Sequence, residues 1–257
     1  MKVTRREFLR LAGAFTASAC IVSPAIGEVE TGRIPILLYN DVSDFFNDSH
    51  TVSPSIFAAQ LEWLYNNGFR VIPLRKISNP PAGVRLAVIT FDYGYASFMD
   101  YAFPLLKEYG FCATVNVVGG LVGKYIREGR NSRPLLSWDE YRHLLKSGLV
   151  DIGCQTNALH LLKDKGVSNV SQEVLRHDLM TFNKTLQKET RTSTDILAWP
   201  HGFYGAQSID VAKNEGFRYL QTTNKAVFNK SGNLLEIPRK TINNRHNLVA
   251  FRTEVAS

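Results

Sequence analysis

Residues 84–95 read VRLAVITFDYGY. The run 86–91 is short, apolar and rich in β-branched and aromatic side chains, which predicts a strand buried on both faces of a sheet. It ends in Asp92. An acidic residue closing a buried strand points either to a pocket or to a helix cap. A second carboxylate beside it would make a metal site, but here the neighbour is Tyr93.

The same kind of segment recurs on either side of this one. IPILLY (34–39), CATVNVV (112–118), LVDIGCQT (149–156), ILAW (196–199) and YLQTT (219–223) all read as short buried strands. Helices are predicted between them. One spans 53–68, with Ser53 as N-cap, Pro54 at the first helical position, Gly68 at the end and a Phe57, Leu61, Leu64 stripe. Others are expected near 96–109, from Ser137 to Lys146, around 170–189, near 206–215 and near 247–255. GGLVGKYIREGRNSRP (119–134) reads as a glycine-rich loop. Strands alternating with helices imply a parallel sheet covered on both faces, and six or seven such units fit a closed or nearly closed α/β barrel. In such barrels chemistry sits at the C-terminal strand ends. Asp92, QTNALH (155–160) and WPHG (199–202) all fall there.

The chain has 257 residues and a net charge of +7. Residues 1–27 hold Lys2, Arg5, Arg6 and Arg10 against Glu7, which leaves +4 for residues 28–257. No dense Lys/Arg run with interleaved aromatics suggests a nucleic-acid groove, and neither a nucleic-acid partner nor a nucleotide cofactor is expected. Thr4 to Arg10, TRREFLR, resembles the twin-arginine export motif. A short apolar stretch follows, and Ala25-Ile26-Gly27 has cleavage-like spacing, so residues 1–27 read as a signal peptide and 28–257 as one mature domain. The stretch is too short to span a bilayer, which needs about 20 apolar residues. An exported protein, periplasmic or extracellular and not integral to the membrane, is expected. Cys20 is a weak lipidation site because Ala17 stands where a larger aliphatic is preferred. Cys112 and Cys154 have no spacing that demands a disulfide or a zinc knot, and both read as buried thiols.

Taken in order, the motifs resemble the polysaccharide deacetylase family (the NodB-homology domain). ILLYNDVS is similar to the family's opening YHDV strand, TFDYGY stands where the family has TFDDGY, and DIGCQTNALH resembles a segment ending IGSHTYNLH. LAWPHGFYG resembles FAYPYGxY, and LEIPRKTI resembles the late IPR strand. The resemblance covers roughly residues 34–250 and implies a distorted (β/α) barrel of about seven parallel strands. It also implies a divalent, zinc-like metal held by one Asp and two His, with a neighbouring Asp as general base in acetamide hydrolysis on an N-acetylated polysaccharide.

Carried across, Asp92 matches the general base and His160 the second ligand His. Tyr93 occupies the ligand Asp position, Gln155 the first ligand His position, and Asn40 replaces the His of the opening strand. Ala198 stands where many members have an Arg that orients the base, and Arg239 is the candidate to supply that charge. Trp199, Pro200, His201 and Tyr204, with Arg239, are the substrate-binding candidates. Tyr95, Trp138 and Phe203 are further aromatics near strand ends. Phenol loses its proton near pH ~10 and is a poor ligand at neutral pH, and an amide contributes no charge.

Two readings follow. One is an exported deacetylase with a site rebuilt around His160, recruiting His201, Tyr93 phenolate or Gln155. The other is a catalytically impaired member that binds glycan without cleaving it. A third, a structural partner in envelope polysaccharide export, has no coiled coil or repeat to support it.

Overall fold

In a computed structural model, which describes residues 32–256 except 47, 129–130 and 163–165, the run 86–91 lies in an interior strand of the sheet. The strands are β1 (Ile36–Tyr39), β2 (Phe69–Val71), β3 (Arg85–Phe91), β4 (Ala113–Val117), β5 (Val150–Cys154), β6 (Ile196–Ala198), β7 (Tyr219–Gln221) and β8 (Lys240–Thr241). Seven of them run parallel in the order β7-β6-β5-β4-β3-β1-β8 and curl into a half-barrel, while β2 pairs the first half of β3. The two edges approach each other through the IPR segment. Ile237 bridges Gln221 of β7, and three residues later β8 pairs with β1. Residues 1–27, with the expected export motif, cleavage site and Cys20, lie outside the described residues.

Strand periodicity sorts the side chains into two cores. Leu37, Tyr39, Ile89, Phe91, Val115, Val117, Leu197 and Leu220 face outward onto the helices, where they pack with Phe57, Leu61, Leu179 and Phe182. Tyr39, Phe57, Phe91 and Phe98 form an aromatic knot with centroid separations of 4.9–5.9 Å. The alternate residues Ile36, Val88, Ile196 and Tyr219 turn inward and form a second, smaller core with Leu74, Ile77 and Ile237. Moving up the same inward face, Val88 is followed by Thr90 and then Asp92. Two-residue alternation therefore carries the interior from an apolar plug to a buried polar layer.

The helices are α1 (Pro54–Asn66), α2 (Phe103–Tyr109), α3 (Trp138–Lys146), α4 (Gln172–Thr190), α5 (Ala206–Asn214) and α6 (Leu248–Ala256). Ser53 caps α1, its hydroxyl accepting from Ile56 N–H, and Ser137 and Glu140 form a reciprocal capping box on α3. No helix among the described residues is long and apolar enough to cross a membrane.

Three expectations need correction. The loop read over 119–134 contains an antiparallel hairpin, Tyr125–Glu128 with Asn131–Pro134. Its sequence lacks a strong strand pattern because the hairpin is held by a distant ion pair: buried Arg133 donates to Asp41 Oδ2 at 2.6 Å, to Thr51 Oγ1 at 3.0 Å and to Asp48. The helix expected over 96–109 opens with a π-helical turn at Phe98–Ala102 and becomes α-helical only from Phe103. Pro104 has no N–H to donate back along the helix, and the Phe103 N–H reaches Phe98 O instead. Cys154 is a buried thiol as expected, but Cys112 is only half-buried, because it lies just ahead of β4.

Candidate functional site

Asp92 continues the β3 ladder, its N–H donating to Tyr39 O at 2.9 Å. The chain then turns through left-handed backbone at Tyr93 (φ 71°) and Gly94 (φ 76°). Glycine is required at 94, since a Cβ there would lie 2.0 Å from Tyr141 Oη. Thr156 (φ 65°), after β5, and His201 (φ 55°), after β6, are also left-handed. Three of the four described non-glycine residues with positive φ thus sit at strand C-terminal ends on one mouth. Strained backbone of this kind persists where the surrounding structure over-determines it.

Beneath the mouth lies a closed polar layer. Arg239 grips Asp92 with both arms, Nη1 to Oδ1 at 2.7 Å and Nη2 to Oδ2 at 2.9 Å, while its Nε donates to Thr222 O at 2.9 Å. Asn116 Nδ2 donates to Asp92 Oδ1 at 2.7 Å, and Gln221 Nε2 donates to Asn116 Oδ1 at 2.8 Å. Asp92, Asn116, Gln221 and Arg239 are all buried. Gly153 leaves the space this layer needs, because a Cβ there would fall 2.1 Å from Asn116 Oδ1. Arg239 thus places its charge on Asp92, while Ala198 in β6 offers only a methyl group.

Above this layer the sequence candidates are brought together. The Tyr93 N–H donates to Gln155 Oε1 at 2.9 Å. The Tyr93 ring stands edge-on to His160 with centroids 4.6 Å apart and stacks on Tyr95 at 5.3 Å. On its other side His160 meets the His201 ring at 4.5 Å, and His201 Nε2–H donates to His160 O at 3.1 Å. His160 is 3% exposed, and its Nδ1 is buried without a hydrogen-bond partner among the described residues. Burial, and then His201 beside it, lower the imidazole to about 4, while the Asp92 carboxylate acts in the opposite sense.

The 155–160 loop is fixed from below. Asp178 of α4 accepts the N–H groups of Asn157 at 2.7 Å and Ala158 at 2.8 Å, and Thr156 Oγ1 accepts the His160 N–H at 3.0 Å. Desolvation pushes the Asp178 carboxyl up from its usual range. Asp178→Ala should cost about 1.5–3 kcal/mol, the scale of hydrogen bonds to a charged group. Urea denaturation checks this.

The neutral state of His160 makes stability pH-dependent. The unfolded imidazole takes its proton near pH 6.5 and the folded one near 4. The contribution is therefore fully present above pH 6.5 and is lost as pH falls through that window, by about 3 kcal/mol at pH 4. Urea titrations at pH 7 and pH 4 should show the wild type losing about that much more than His160→Gln; parallel losses in the two proteins would contradict it.

Other candidates sit elsewhere or differently. Trp199 is 1% exposed, packed in the outer core under Tyr204 at 5.7 Å. It therefore offers no free ring face to a ligand, because Tyr204 and the helix-facing core cover it. Pro200 is buried, whereas His201 and Phe203 are exposed. Tyr204 is half-buried and donates to Glu236 Oε1 at 3.0 Å. Asn40 pairs with His50, Nδ2 to Nδ1 at 3.3 Å. Trp138 is half-buried against Tyr141, and Tyr95 is buried with the Arg133 guanidinium 5.3 Å from its ring. Sequence reasoning missed Asn116, Gln221 and Asp178. The signal for the first two was a lone amide inside an otherwise buried strand, CATVNVV and YLQTT.

The donor set does not fit a metal held by one carboxylate and two imidazoles. The Asp92 carboxylate is engaged by Arg239 and Asn116, Gln155 Oε1 is engaged by a backbone amide, and the Tyr93 ring fills one side of His160. Among the described residues no group of three His, Cys, Asp or Glu converges on one point.

A curled parallel sheet thus carries a buried Asp–Arg pair beneath a histidine at its C-terminal mouth. The chain belongs to the polysaccharide deacetylase family, whose pattern matches residues 79–220. It is 26% identical over 212 residues to the poly-beta-1,6-N-acetyl-D-glucosamine N-deacetylase of Staphylococcus aureus (strain MSSA476), covering 78% of this chain and 72% of that protein. In fold it is similar to IcaB from Ammonifex degensii (TM-score 0.77, 22% identity, 88% and 96% of the two chains). It is similarly close to the Streptococcus pyogenes deacetylase PplD solved with acetate (TM-score 0.75, 22% identity, 88% and 99%).

Proposed function

We propose that this chain is an exported family member that engages an N-acetylated polysaccharide, an N-acetylhexosamine polymer, at the C-terminal mouth of the sheet. In this reading it does so without metal-assisted acetamide hydrolysis. The observation that carries it is the joint occupation of the lost ligand positions: the Tyr93 N–H is bonded to Gln155 Oε1 and the Tyr93 ring is packed against His160. The two substituted residues are committed to each other, and Tyr93 also to His160.

The binding surface in this proposal is the Tyr93 face, the exposed His201 and Phe203, and the rim of Tyr204. Aromatic faces and hydrogen bonds hold sugars without a metal. Asp92 Oδ2 carries one hydrogen bond among the described residues, from Arg239, and a carboxylate oxygen can accept a second from a sugar hydroxyl or an acetamide N–H. Export rests on residues 1–27, with 28–257 as the mature domain; replacing Arg5 and Arg6 by Lys should leave the precursor in the cytoplasm.

The retained Asp92 favours a second reading, hydrolysis with Asp92 as general base and a metal site rebuilt on His160. A calorimetric titration with an N-acetylglucosamine oligomer tests the first. Saturable binding that weakens about tenfold or more in Tyr93→Ala is expected, the loss of roughly one stacked sugar. No heat of binding in the wild type, or an unchanged affinity in the variant, would contradict it.

A further inference from the structure

The hairpin Tyr125–Glu128 with Asn131–Pro134 reaches the residue that fills one side of His160. Its returning strand runs on past Pro134 and pairs with the chain directly after Tyr93. Ala96 N–H donates to Pro134 O at 2.9 Å, Leu136 N–H donates to Gly94 O at 2.9 Å, and Tyr95 bridges Leu135. Tyr95, Ile126 and Leu135 form a small buried cluster, and Tyr93 and Leu121 pack against it. The hairpin therefore supplies one wall of the slot in which the Tyr93 ring lies.

Arg133 holds that wall in place. Its side chain is buried and donates to Asp41, Thr51 and Asp48, while Asp41 also accepts from the Ser97 hydroxyl. The guanidinium lies 4.2 Å from the Phe46 ring centroid and 5.3 Å from that of Tyr95, within cation–π reach of both. Tyr95 stacks on Tyr93 at 5.3 Å with 23° between the planes, and Tyr93 stands edge-on to His160 at 4.6 Å. An unbroken run of contacts thus leads from a buried ion pair to the histidine at the mouth. Tyr93 needs such support, because φ 71° is a backbone region that a bulky residue rarely adopts and keeps only where its surroundings hold it there.

We infer that Arg133 is a positioning residue for the mouth: through Tyr95 it sets the Tyr93 ring against His160, and so sets the affinity for the glycan. The placement of the ring stands by itself, whereas the effect on affinity rests on the glycan reading above. Lysine at 133 keeps a charge beside Asp41. It has no plane to lay against two rings and no fork to reach Asp41 and Asp48 together.

The test reads the folded protein by NMR, with the His160 imidazole protons as reporters, because an aromatic ring packed this closely displaces their resonances. Tyr93→Ala fixes the value without the ring. In Arg133→Lys the His160 resonances should move toward that value, and binding of an N-acetylglucosamine oligomer, measured by calorimetry, should weaken about threefold. Tyr95→Leu is the second variant, for use also if Arg133→Lys does not fold. It keeps an apolar side chain in the cluster but no plate for Tyr93, leaves the ion pairs of Arg133 in place, and should displace the same resonances. Unchanged His160 resonances in the folded variants, whatever the drop in urea midpoint, leave Arg133 a role in stability alone and overturn the inference. Displaced resonances with unchanged affinity overturn its link to binding. If the wild type binds no oligomer, the glycan reading fails, while the His160 resonances still decide whether Arg133 places the ring.

Discussion

Arg239→Met should destabilise the fold by about 3–5 kcal/mol, the cost of leaving a buried charge without its partner. The guanidinium is fully buried and the Asp92 side chain is 6% exposed, so water cannot replace the two lost bonds at 2.7 and 2.9 Å. The substitution also removes the Nε bond to Thr222 O, which ties the segment after Ile237 to the end of β7 where the barrel edges approach. Met keeps much of the volume, which separates the charge effect from a cavity effect. Combining it with Asp92→Asn should recover a large part of the loss, since the neutral amide no longer needs a counter-charge. Equilibrium urea denaturation of the two single variants and the double variant measures this. Additive losses would mean that the pair is not coupled.

The second large effect is a gain. Tyr93→Asp with Gln155→His should raise zinc affinity by roughly 10³-fold or more over the wild type, given that disturbing even outer-shell partners costs about 10- to 100-fold. Asp supplies an anion where a phenol stood, and it tolerates left-handed backbone better than Tyr, so φ 71° at residue 93 is no obstacle. Removing the ring also opens the side of His160 that it packs against. The double variant gives up the Tyr93 N–H to Gln155 Oε1 bond, a loss of about 1 kcal/mol that the fold can absorb. Competition against a chromophoric chelator reads the affinity directly. Equal affinity in the two proteins would mean that residues 93 and 155 are not the reason for weak metal binding.

The sheet was legible in the sequence because the six strands expected from it are almost wholly buried and so read as short apolar runs, and because capping signals at Ser53 and Ser137 are local chemistry. The site was legible in part. Asp92, His160 and Arg239 were readable from their motif positions, and they converge because strand C-terminal ends share one mouth. The hairpin at 125–134 was hidden because what holds it is Arg133 reaching Asp41, Asp48 and Thr51, more than 80 residues earlier in the chain. Asn116 and Gln221 were hidden for a related reason. A single amide in an apolar strand looks like a blemish until the inward face of the neighbouring strands shows that Asp92 sits in the same layer. Trp199 was misplaced because WPHG gives no hint that its indole turns down into the core while His201, two residues on, turns outward.

The claim at the centre is that substitution at positions 93 and 155 has uncoupled this scaffold from the hydrolysis its relatives' names record. Acetate release from N-acetylglucosamine oligomers tests it most directly, with wild type, Asp92→Asn and the Tyr93→Asp/Gln155→His variant assayed side by side in zinc, cobalt or manganese. The account predicts release by the double variant only, with the wild type level with Asp92→Asn. Wild-type release as fast as that of the double variant, and lost in Asp92→Asn, would contradict it.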